Sequence, residues 1–308
     1  LCEYIPNLYR ERPIFFDRFL QSDVLMVRTA AIDKWGFFNF SANNSDCKAV
    51  ARNTKKIIVE ANKQMPYCLR GFDEKIHISE VDCIVEADYS PLILPDTTPT
   101  ERDIKIAKYI LEEMEDGCCI QLGIGGMPNT VGKLVADSDL KDIGVHTEMF
   151  ADAYVDMYEA GKITGKRKTL MPEKMVYTFA MGTKKLYEFL DYNPACASFP
   201  VSFTNRPSII ASNDKMVSIN NAIEVDLYGQ VSSESSGFKH ISGTGGQWDY
   251  HYASYHSRGG KSFICLNSTY KDRDGNLKSR IVPIFSPGSV VTLPHTHTFY
   301  VVTEFGKA

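Results

Sequence analysis

A glycine-rich turn is the first feature of this sequence that suits chemistry. The turn, Gly123-Ile-Gly-Gly-Met-Pro128, follows the apolar run Cys118–Leu122 and precedes a helix-like stretch, residues 129–136. Glycines lack the Cβ that keeps a ligand away from backbone N–H groups, so such a turn can bring these donors close to a ligand. The G-x-G-x-x-G pattern of dinucleotide-binding proteins lacks its third glycine here, because residue 128 is proline. A turn with only a structural role therefore stays open.

Glu148 is the second feature, and it follows the next predicted strand, residues 143–145. In an open parallel sheet the glycine turn and Glu148 would lie at the same carboxyl edge, where ligands bind. Three interpretations remain open on this ground. Glu148 could bind a ribose in a nicotinamide-nucleotide dehydrogenase, act as a carboxylate nucleophile facing backbone donors, or be a solvated surface residue.

The elements around these residues predict an α/β fold. Residues 118–145 form one βαβ unit, which implies parallel strands and a right-handed crossover. A helix precedes it: Thr98 can cap, Glu101 completes a capping box, and Gly117 ends the helix. Short apolar runs predict further strands on both sides of this unit.

A chain of 308 residues, 44% apolar, is long enough for two domains. A proline-rich connection over residues 90–98 predicts a boundary that separates residues 1–98 from residues 99–308. The sequence starts without an initiator Met and stops soon after the strand-like Phe299–Thr303. We therefore expect further chain at both ends and an incomplete N-terminal domain.

Composition excludes several classes of protein. The formal net charge is −4, so the basic footprint of a nucleic-acid-binding protein is absent. No apolar run approaches the ~18–20 residues of a membrane span. The eight cysteines form no C-x-x-C pair and lie mostly in apolar runs, which indicates buried, reduced thiols in a cytoplasmic protein.

Two motifs that suggest metal binding are better explained in other ways. His295 and His297 would share one face of a strand, but no third ligand has a recognisable spacing. Asp272-Arg-Asp-Gly-Asn276 starts like a calcium loop, yet proline stands where the closing glutamate belongs. Asp274-Gly275 instead predicts a hairpin turn between residues 263–266 and 281–285. No metal site is expected.

The glycine turn and Glu148 belong to five separated motifs that occur in the order typical of one family. Together they resemble the acetyl-CoA hydrolase/transferase family, and most closely its butyryl-CoA:acetate and 4-hydroxybutyrate CoA-transferases. The motifs are Ile76–Asp82, Gln121–Asn129 with Gly144–Met149, Ser218–Val231, Ile241–Gln247 and Thr303–Gly306.

The resemblance implies a fold of two open α/β domains of the CoA-transferase (NagB/RpiA/CoA-transferase-like) type. It also implies a ping-pong reaction in which Glu148 attacks an acyl-CoA thioester and becomes a glutamyl-CoA thioester. A carboxylic acid, acetate for example, then accepts the CoA. No metal or redox cofactor is needed, since CoA is a substrate that is bound covalently only for part of the cycle.

The same resemblance suggests further site residues. Asn205 would lie near the acyl or carboxylate group, and Lys271 near a CoA phosphate. The partners implied are acyl-CoA and short-chain carboxylates, with neither nucleic acid nor membrane, and the protein is expected to be a homodimer or higher homo-oligomer. A hydrolase of the same family, with water as acceptor, stays an alternative. The residues that would bind CoA are Gly123, Ile124, Gly125, Gly126, Met127, Ile223, Gly246 and Lys271.

Overall fold

The computed structural model describes residues 4–69, 71–94 and 98–308, and it shows the predicted α/β fold. The described residues contain nine α-helices, several of them short. In chain order they are α1 (Arg12–Arg18), α2 (Cys47–Arg52), α3 (Glu101–Leu111), α4 (Gly126–Asp137), α5 (Asp152–Glu159), α6 (Lys184–Leu190), α7 (Val201–Thr204), α8 (Pro207–Ala211) and α9 (Gln247–His256).

Strands occur along the whole described chain, and those after residue 120 are mostly short. They are β1 (Ser22–Ala30), β2 (Phe37–Asn39), β3 (Thr54–Asn62), β4 (Lys75–His77), β5 (Cys83–Ala87), β6 (Cys119–Leu122), β7 (Gly144–Val145), β8 (Met149–Phe150), β9 (Met175–Tyr177), β10 (Phe179–Ala180), β11 (Cys196–Ser198), β12 (Met216–Asn221), β13 (Glu224–Asp226), β14 (Val231–Ser232), β15 (Ser235–Ser236), β16 (Lys239–His240), β17 (Lys261–Cys265), β18 (Thr269–Lys271), β19 (Leu277–Ser279), β20 (Ile281–Val282), β21 (Tyr300–Thr303) and β22 (Gly306–Lys307).

A three-stranded parallel sheet in the order β1-β3-β5 organises the N-terminal part. The antiparallel pair of β2 and β4 contributes to the same core. The two aromatic rings of β2 and the loop after it, Phe38 and Phe40, are fully buried there. This core is built from Phe38, Phe40, Cys47, Ala51, Ile57, Val59, Ala61 and Ile76.

A six-stranded sheet in the order β22-β21-β17-β12-β6-β7 organises the C-terminal part, and only β22 runs antiparallel to its neighbour. Its central strands are buried on both faces. Side chains alternate along a strand, so Val217 and Ile219 of β12 join the core formed with α3, α4 and α5. Met216, on the other face, packs with Tyr250 and Ala253 of α9.

The predicted βαβ unit is present, with β6 and β7 parallel and α4 between them. The helix begins earlier than predicted, because Gly126 already has helical geometry and Gly125 is the N-cap residue with φ of 122°. Residues of the glycine turn thus form the first turn of α4. The glycine-rich segment had predicted a turn that extends to Pro128, but proline is well tolerated in the first turn of a helix.

Two other predicted boundaries were wrong. The capping box of α3 uses Thr100 and Asp103, not Thr98 and Glu101: Thr100 Oγ1 accepts from the Asp103 N–H, and the Thr100 N–H donates to Asp103 Oδ2. The helix ends at Leu111, well before Gly117. Threonines at residues 98 and 100 are both suitable caps, and Thr100 forms the observed box because Asp103 stands three residues after it.

Part of the proline-rich connection, Pro95–Thr97, lies outside the described residues, and the domain boundary after residue 98 stays a prediction.

The cysteines within the described residues are free thiols; Cys83 alone among them is exposed, so burial was wrongly predicted for it. Cys2 lies outside the described residues. Among the described residues, no helix has the length and apolar character needed to cross a bilayer.

Gly132 allows α4 and α5 to approach each other closely. A Cβ at this position would lie 2.5 Å from Ala153 Cβ of α5. We expect Gly132→Ala to lower the free energy of unfolding, because overpacking costs about 1–3 kcal/mol, more than the helix propensity gained. Urea unfolding would measure this. A midpoint equal to or above that of the wild type would contradict close packing of these helices.

Candidate active site

Glu148 lies in the connection between β7 and β8, next to the carboxyl ends of the central strands. Its backbone carbonyl accepts hydrogen bonds from the N–H groups of Thr178 (3.1 Å) and Phe179 (3.2 Å). The Thr178 carbonyl in turn accepts from the N–H groups of Asn44 and Ser45, at 3.1 and 3.2 Å. Residues from both parts of the chain therefore fix the backbone of Glu148.

Asn205 holds the side chain of Glu148. Its Nδ2 donates a hydrogen bond to Glu148 Oε2, and the Asn205 side chain is fully buried. Asn205 directly follows α7, where the carbonyl of Thr204 accepts hydrogen bonds from His146 Nε2 (2.8 Å) and the Tyr250 hydroxyl (3.3 Å). These two buried donors set the position of the carboxamide that faces Glu148.

His146 serves this site as a neutral donor. Burial, together with the charge of Lys168, lowers the pKa of His146 to about 3, although the hydrogen bond to the Thr204 carbonyl acts in the opposite direction. The ring is therefore uncharged near neutral pH, and we assign the proton to Nε2 because this atom faces the Thr204 carbonyl. His146 positions the backbone beside Asn205 and has no substrate-facing role in this arrangement.

The acidity of Glu148 is shifted in a way that suits a nucleophile shielded from bulk water. Burial raises the pKa of Glu148 to about 7, while the hydrogen bond from Asn205 acts in the opposite direction. The carboxylate is poorly solvated, which raises its free energy and its reactivity towards a carbonyl carbon. A perturbed carboxylate in a cavity is a typical mark of a functional site.

The Ser242–Gly246 loop closes the site on the other side of the carboxylate. A Cβ at Gly246 would overlap Glu148 Oε2 and Asn205 Nδ2. Gly245 has a positive φ of 56°, and its Cβ position lies 4.0 Å from Glu148 Oε1. Glycine is required at residue 246 because no side chain fits between this backbone and the Glu148–Asn205 pair.

These features meet at a cavity of about 360 Å³. It lies at the carboxyl ends of β6 and β12, the edge where open α/β sheets bind ligands. Of the residues expected to bind CoA, Gly123, Ile124, Ile223 and Gly246 line this cavity together with Glu148. Its other lining residues are Gln121, Leu122, Met149, Asn220, Asn221, Ala222, Ser233, Ser242, Gly243, Thr244, Gly245, Gln247 and Tyr250.

The glycine turn divides between two cavities. Ile124 lines both, and its carbonyl accepts a hydrogen bond from Asn221 Nδ2 at 3.2 Å. Gly125 and Gly126 line the neighbouring cavity of about 390 Å³. Met127 is buried in the hydrophobic core, so the structure does not bring its side chain to the site.

A buried polar network lies beside the cavity and joins β6 to β12. Gln121 Oε1 accepts hydrogen bonds from Ser218 Oγ (2.8 Å) and Asn220 Nδ2 (3.0 Å). Gln121 Nε2 donates to Asn220 Oδ1 at 3.2 Å. Each polar group has a partner, so the network fixes the spacing of the two strand ends that form the cavity edge.

Lys271 is another expected site residue that does not line the cavity. It is exposed at the end of β18, outside the lining described above. Arg280 lies closer to a lining residue: Arg280 Nη1 donates to the Ile223 carbonyl at 3.0 Å. The hairpin prediction also needs correction, because Asp274-Gly275 joins β18 to β19, whereas residues 261–265 form a central strand of the parallel sheet.

The predicted strand through His295 and His297 was wrong, since these residues form a short 3-10 helix. Within the described ranges, no group of three or more His, Cys, Asp and Glu residues is arranged to hold a metal ion. The candidate active site contains a carboxylate, its amide partner and backbone groups.

Sequence reasoning did not identify His146 or Tyr9 as parts of the site. His146 stands two residues before Glu148, directly after an apolar strand. A polar imidazole at such a position is the sequence feature that indicates a role in the site. Tyr9 gives no such signal, because it comes from a distant segment. Its hydroxyl donates to Ser45 Oγ at 2.7 Å, and burial, with a contribution from the charge of Glu148, raises the pKa of Tyr9 above its usual range.

Family models match both ends of the chain. The acetyl-CoA hydrolase/transferase N-terminal domain matches residues 1–94, and the C-terminal domain of the same family matches residues 182–308. Butyryl-CoA:acetate CoA-transferase of Anaerostipes caccae is 49% identical over 99% of this chain and 69% of its own length. A probable butyrate:acetyl-CoA coenzyme A-transferase of Syntrophomonas wolfei is 48% identical over 99% of this chain and 68% of its own length.

Solved structures show the same fold. RipA from Yersinia pestis has a TM-score of 0.92 and 36% identity, over 99% of this chain and 68% of its own. A 4-hydroxybutyrate CoA-transferase from Porphyromonas gingivalis has a TM-score of 0.83 and 35% identity, over 97% of this chain and 70% of its own.

The raised pKa of Glu148 predicts a pH dependence. If the carboxylate must be ionised to react, kcat/KM rises with pH through about 7. In Asn205→Ala the ionised form loses a hydrogen bond, so this limb should move to higher pH by about one unit. A pH profile of kcat/KM for both proteins would measure the shift. An unchanged limb in the variant would show that Asn205 does not stabilise the carboxylate.

Gly246→Ala should displace Glu148 from Asn205. We expect kcat to fall by about 100-fold, the effect of a displacement of ~1 Å at reacting groups, and the thermal midpoint to fall as well, because the added Cβ overpacks the site. Gly243→Ala is the matched control, because its Cβ would have Tyr4 Oη as nearest neighbour at 3.6 Å. Equal losses of activity in the two variants would contradict a specific requirement for glycine at residue 246.

Proposed function

Because this chain belongs to the acetyl-CoA hydrolase/transferase family and is a CoA-transferase, we propose that it moves CoA between butyryl-CoA and acetate, with Glu148 as the covalent nucleophile. The observation that carries the proposal is the half-buried Glu148 carboxylate, with a raised pKa, held by Asn205 in a cavity with backbone groups around it. The names of the two curated relatives support the choice of acyl group and acceptor.

The first half of the reaction needs two acyl transfers. A Glu148 oxygen attacks the thioester carbonyl of butyryl-CoA, the carbon–sulfur bond breaks, and a mixed anhydride and CoA thiolate result. The thiolate then attacks the Glu148 carbonyl of the anhydride and expels butyrate. Glu148 now carries CoA as a thioester, and no proton has been gained or lost.

The second half repeats these steps with the acceptor. An acetate oxygen attacks the glutamyl-CoA carbonyl and releases the thiolate, which attacks the acetyl carbonyl of the new anhydride. Acetyl-CoA leaves, and the Glu148 carboxylate is restored. Each attack places negative charge on a carbonyl oxygen, and the backbone N–H groups of residues 124–127 in the glycine turn are the donors we propose for it. The Gly123 N–H instead donates to the Ile219 carbonyl at 2.8 Å.

The remaining site residues receive supporting roles in this proposal. Asn205 orients Glu148 and faces the carboxylate of the departing or incoming acid. Ile223 and Gly246 bound the space for the thioester end of CoA. Lys271, on the exposed surface, would meet a phosphate of CoA outside the cavity. We further propose a cytoplasmic homo-oligomer that uses no metal or redox cofactor.

Trapping the thioester tests the nucleophile directly. We expect that incubation with butyryl-CoA, followed by borohydride, reduces Glu148 to an alcohol and abolishes activity, as peptide mass spectrometry would show. Glu148→Gln is the matched control, because glutamine has the same size and keeps an oxygen for Asn205. Glu148→Gln and Glu148→Ala should each lose about 10⁴-fold in transfer.

Glu148→Asp separates the transferase from the hydrolase alternative. The shorter side chain leaves space for water next to the thioester, so we expect residual activity to include release of free CoA. A wild-type protein that transfers CoA without any modified Glu148 would overturn the proposed mechanism. A wild-type protein that releases free CoA from butyryl-CoA at the same rate with and without acetate would overturn the proposed transfer to acetate.

A further inference from the structure

We infer that residues 7–10 act as a strap that holds the Ser242–Gly246 loop over Glu148, and that Arg10 thereby determines how much of the glutamyl-CoA thioester is lost to water. This inference rests on the proposed function. It concerns a positioning residue, since Arg10 reaches the reacting group only through other residues.

Two hydrogen bonds join the strap to the loop. Thr244 Oγ1 donates to the Asn7 carbonyl at 2.5 Å, and the Tyr9 N–H donates to the Gly245 carbonyl at 3.2 Å. The next residue, Gly246, is the one that contacts Glu148 and Asn205. The strap is therefore bonded to the loop immediately before its point of contact with the carboxylate.

Arg10 anchors the strap to the helix that follows the loop. Its guanidinium forms an ion pair with Asp249, a fully buried residue in the first turn of α9. The same guanidinium lies over the ring of Trp248, 5.4 Å from its centroid. A buried carboxylate needs a charged partner, so this ion pair favours one position of the strap relative to the end of the loop.

Tyr9 fixes the other side of the strap. Its hydroxyl donates to Ser45 Oγ, which in turn donates to Asn43 Oδ1 at 2.6 Å. Ser45 belongs to the segment that supports the backbone of Glu148 through Thr178. The strap thus links the loop on one side of the carboxylate to the backbone support on the other.

Water exclusion is the consequence for the reaction. The Ser242–Gly246 loop lines the cavity that holds Glu148, so its displacement opens this cavity to solvent. Water that reaches the glutamyl-CoA carbonyl adds to it and the carbon–sulfur bond breaks. Free CoA thiol and the Glu148 carboxylate result, with one proton released. Transfer and hydrolysis therefore compete for the same thioester, and the loop sets their ratio.

Arg10→Met tests the inference, because it removes the ion pair and keeps an unbranched side chain. In an assay that contains butyryl-CoA and acetate, the amount of acetyl-CoA formed measures transfer, and the amount of free thiol formed measures hydrolysis. We expect the ratio of hydrolysis to transfer to rise by about tenfold. Arg12→Met is the matched control: it removes a neighbouring ion pair, Arg12 to Asp46 at 2.8 Å, that does not reach the loop.

Arg10→Lys should restore the ratio in part, because it keeps the charge opposite Asp249. If Arg10→Met proves too unstable, Thr244→Val removes only the bond to Asn7 and should raise the same ratio. The half-life of the isolated glutamyl-CoA protein, without an acceptor acid, should shorten in Arg10→Met and Thr244→Val.

Equal decreases of transfer and hydrolysis, with an unchanged ratio and half-life in both variants, would overturn the role of the strap. Failure of the proposed function looks different. In that case the wild type itself forms no glutamyl-CoA thioester. Neither the ratio of hydrolysis to transfer nor the half-life of the thioester can then be measured for the wild type. A wild-type thioester with a ratio that no strap variant changes contradicts the strap alone.

Discussion

The hydrogen bond between Asn205 and Glu148 is the interaction on which this site depends. Burial opposes ionisation of Glu148, and the amide donor restores part of the stabilisation that water would supply. A fully solvated carboxylate would be a weak nucleophile, and one buried without a partner would stay protonated near neutral pH. The balance between burial and this one donor keeps the group close to the acidity at which it can react and be regenerated.

The surrounding structure serves to keep that donor in place. Asn205 has no strand or long helix of its own, since α7 comprises four residues. Its position comes from the two side chains that bond to the neighbouring carbonyl, and His146 can do this without a charge that would disturb Glu148. The six-stranded sheet contributes the cavity edge, where the Gln121–Ser218–Asn220 network keeps two strand ends at a fixed distance.

The sequence predicted those parts of the molecule that depend on local patterns. The βαβ unit around the glycine turn and the α/β class followed from apolar runs and glycine positions, and motif order identified the family. The predicted start of α3 was wrong because two residues, Thr98 and Thr100, are both suitable N-caps, each with an acidic residue three positions later. The Asp274-Gly275 hairpin failed for a related reason: the turn was recognised, but the strands flanking it are short local ones.

Site residues divide in the same way. Gly246 and Asn205 were predicted as site residues only from their positions relative to the family motifs. The structure supplies a physical reason for each residue type: no Cβ fits at residue 246, and the Asn205 amide donates to Glu148. The role of Tyr9 had no local pattern at all, because a tyrosine far from Glu148 in sequence gives no sign of its partner. Lys271 lies on the exposed surface outside the cavity, and its role near a CoA phosphate stays a prediction.

The short pairing of β7 has a consequence for how reactivity arises during folding. This strand pairs over two residues, so the sheet by itself does not orient the glutamate that follows it. Its backbone partners are Thr178 and Phe179 and its side-chain partner is Asn205, all distant from it in the sequence. A partly folded chain therefore carries an ordinary, unreactive glutamate. Under the proposed mechanism, Glu148 can act as a nucleophile only once these contacts have formed.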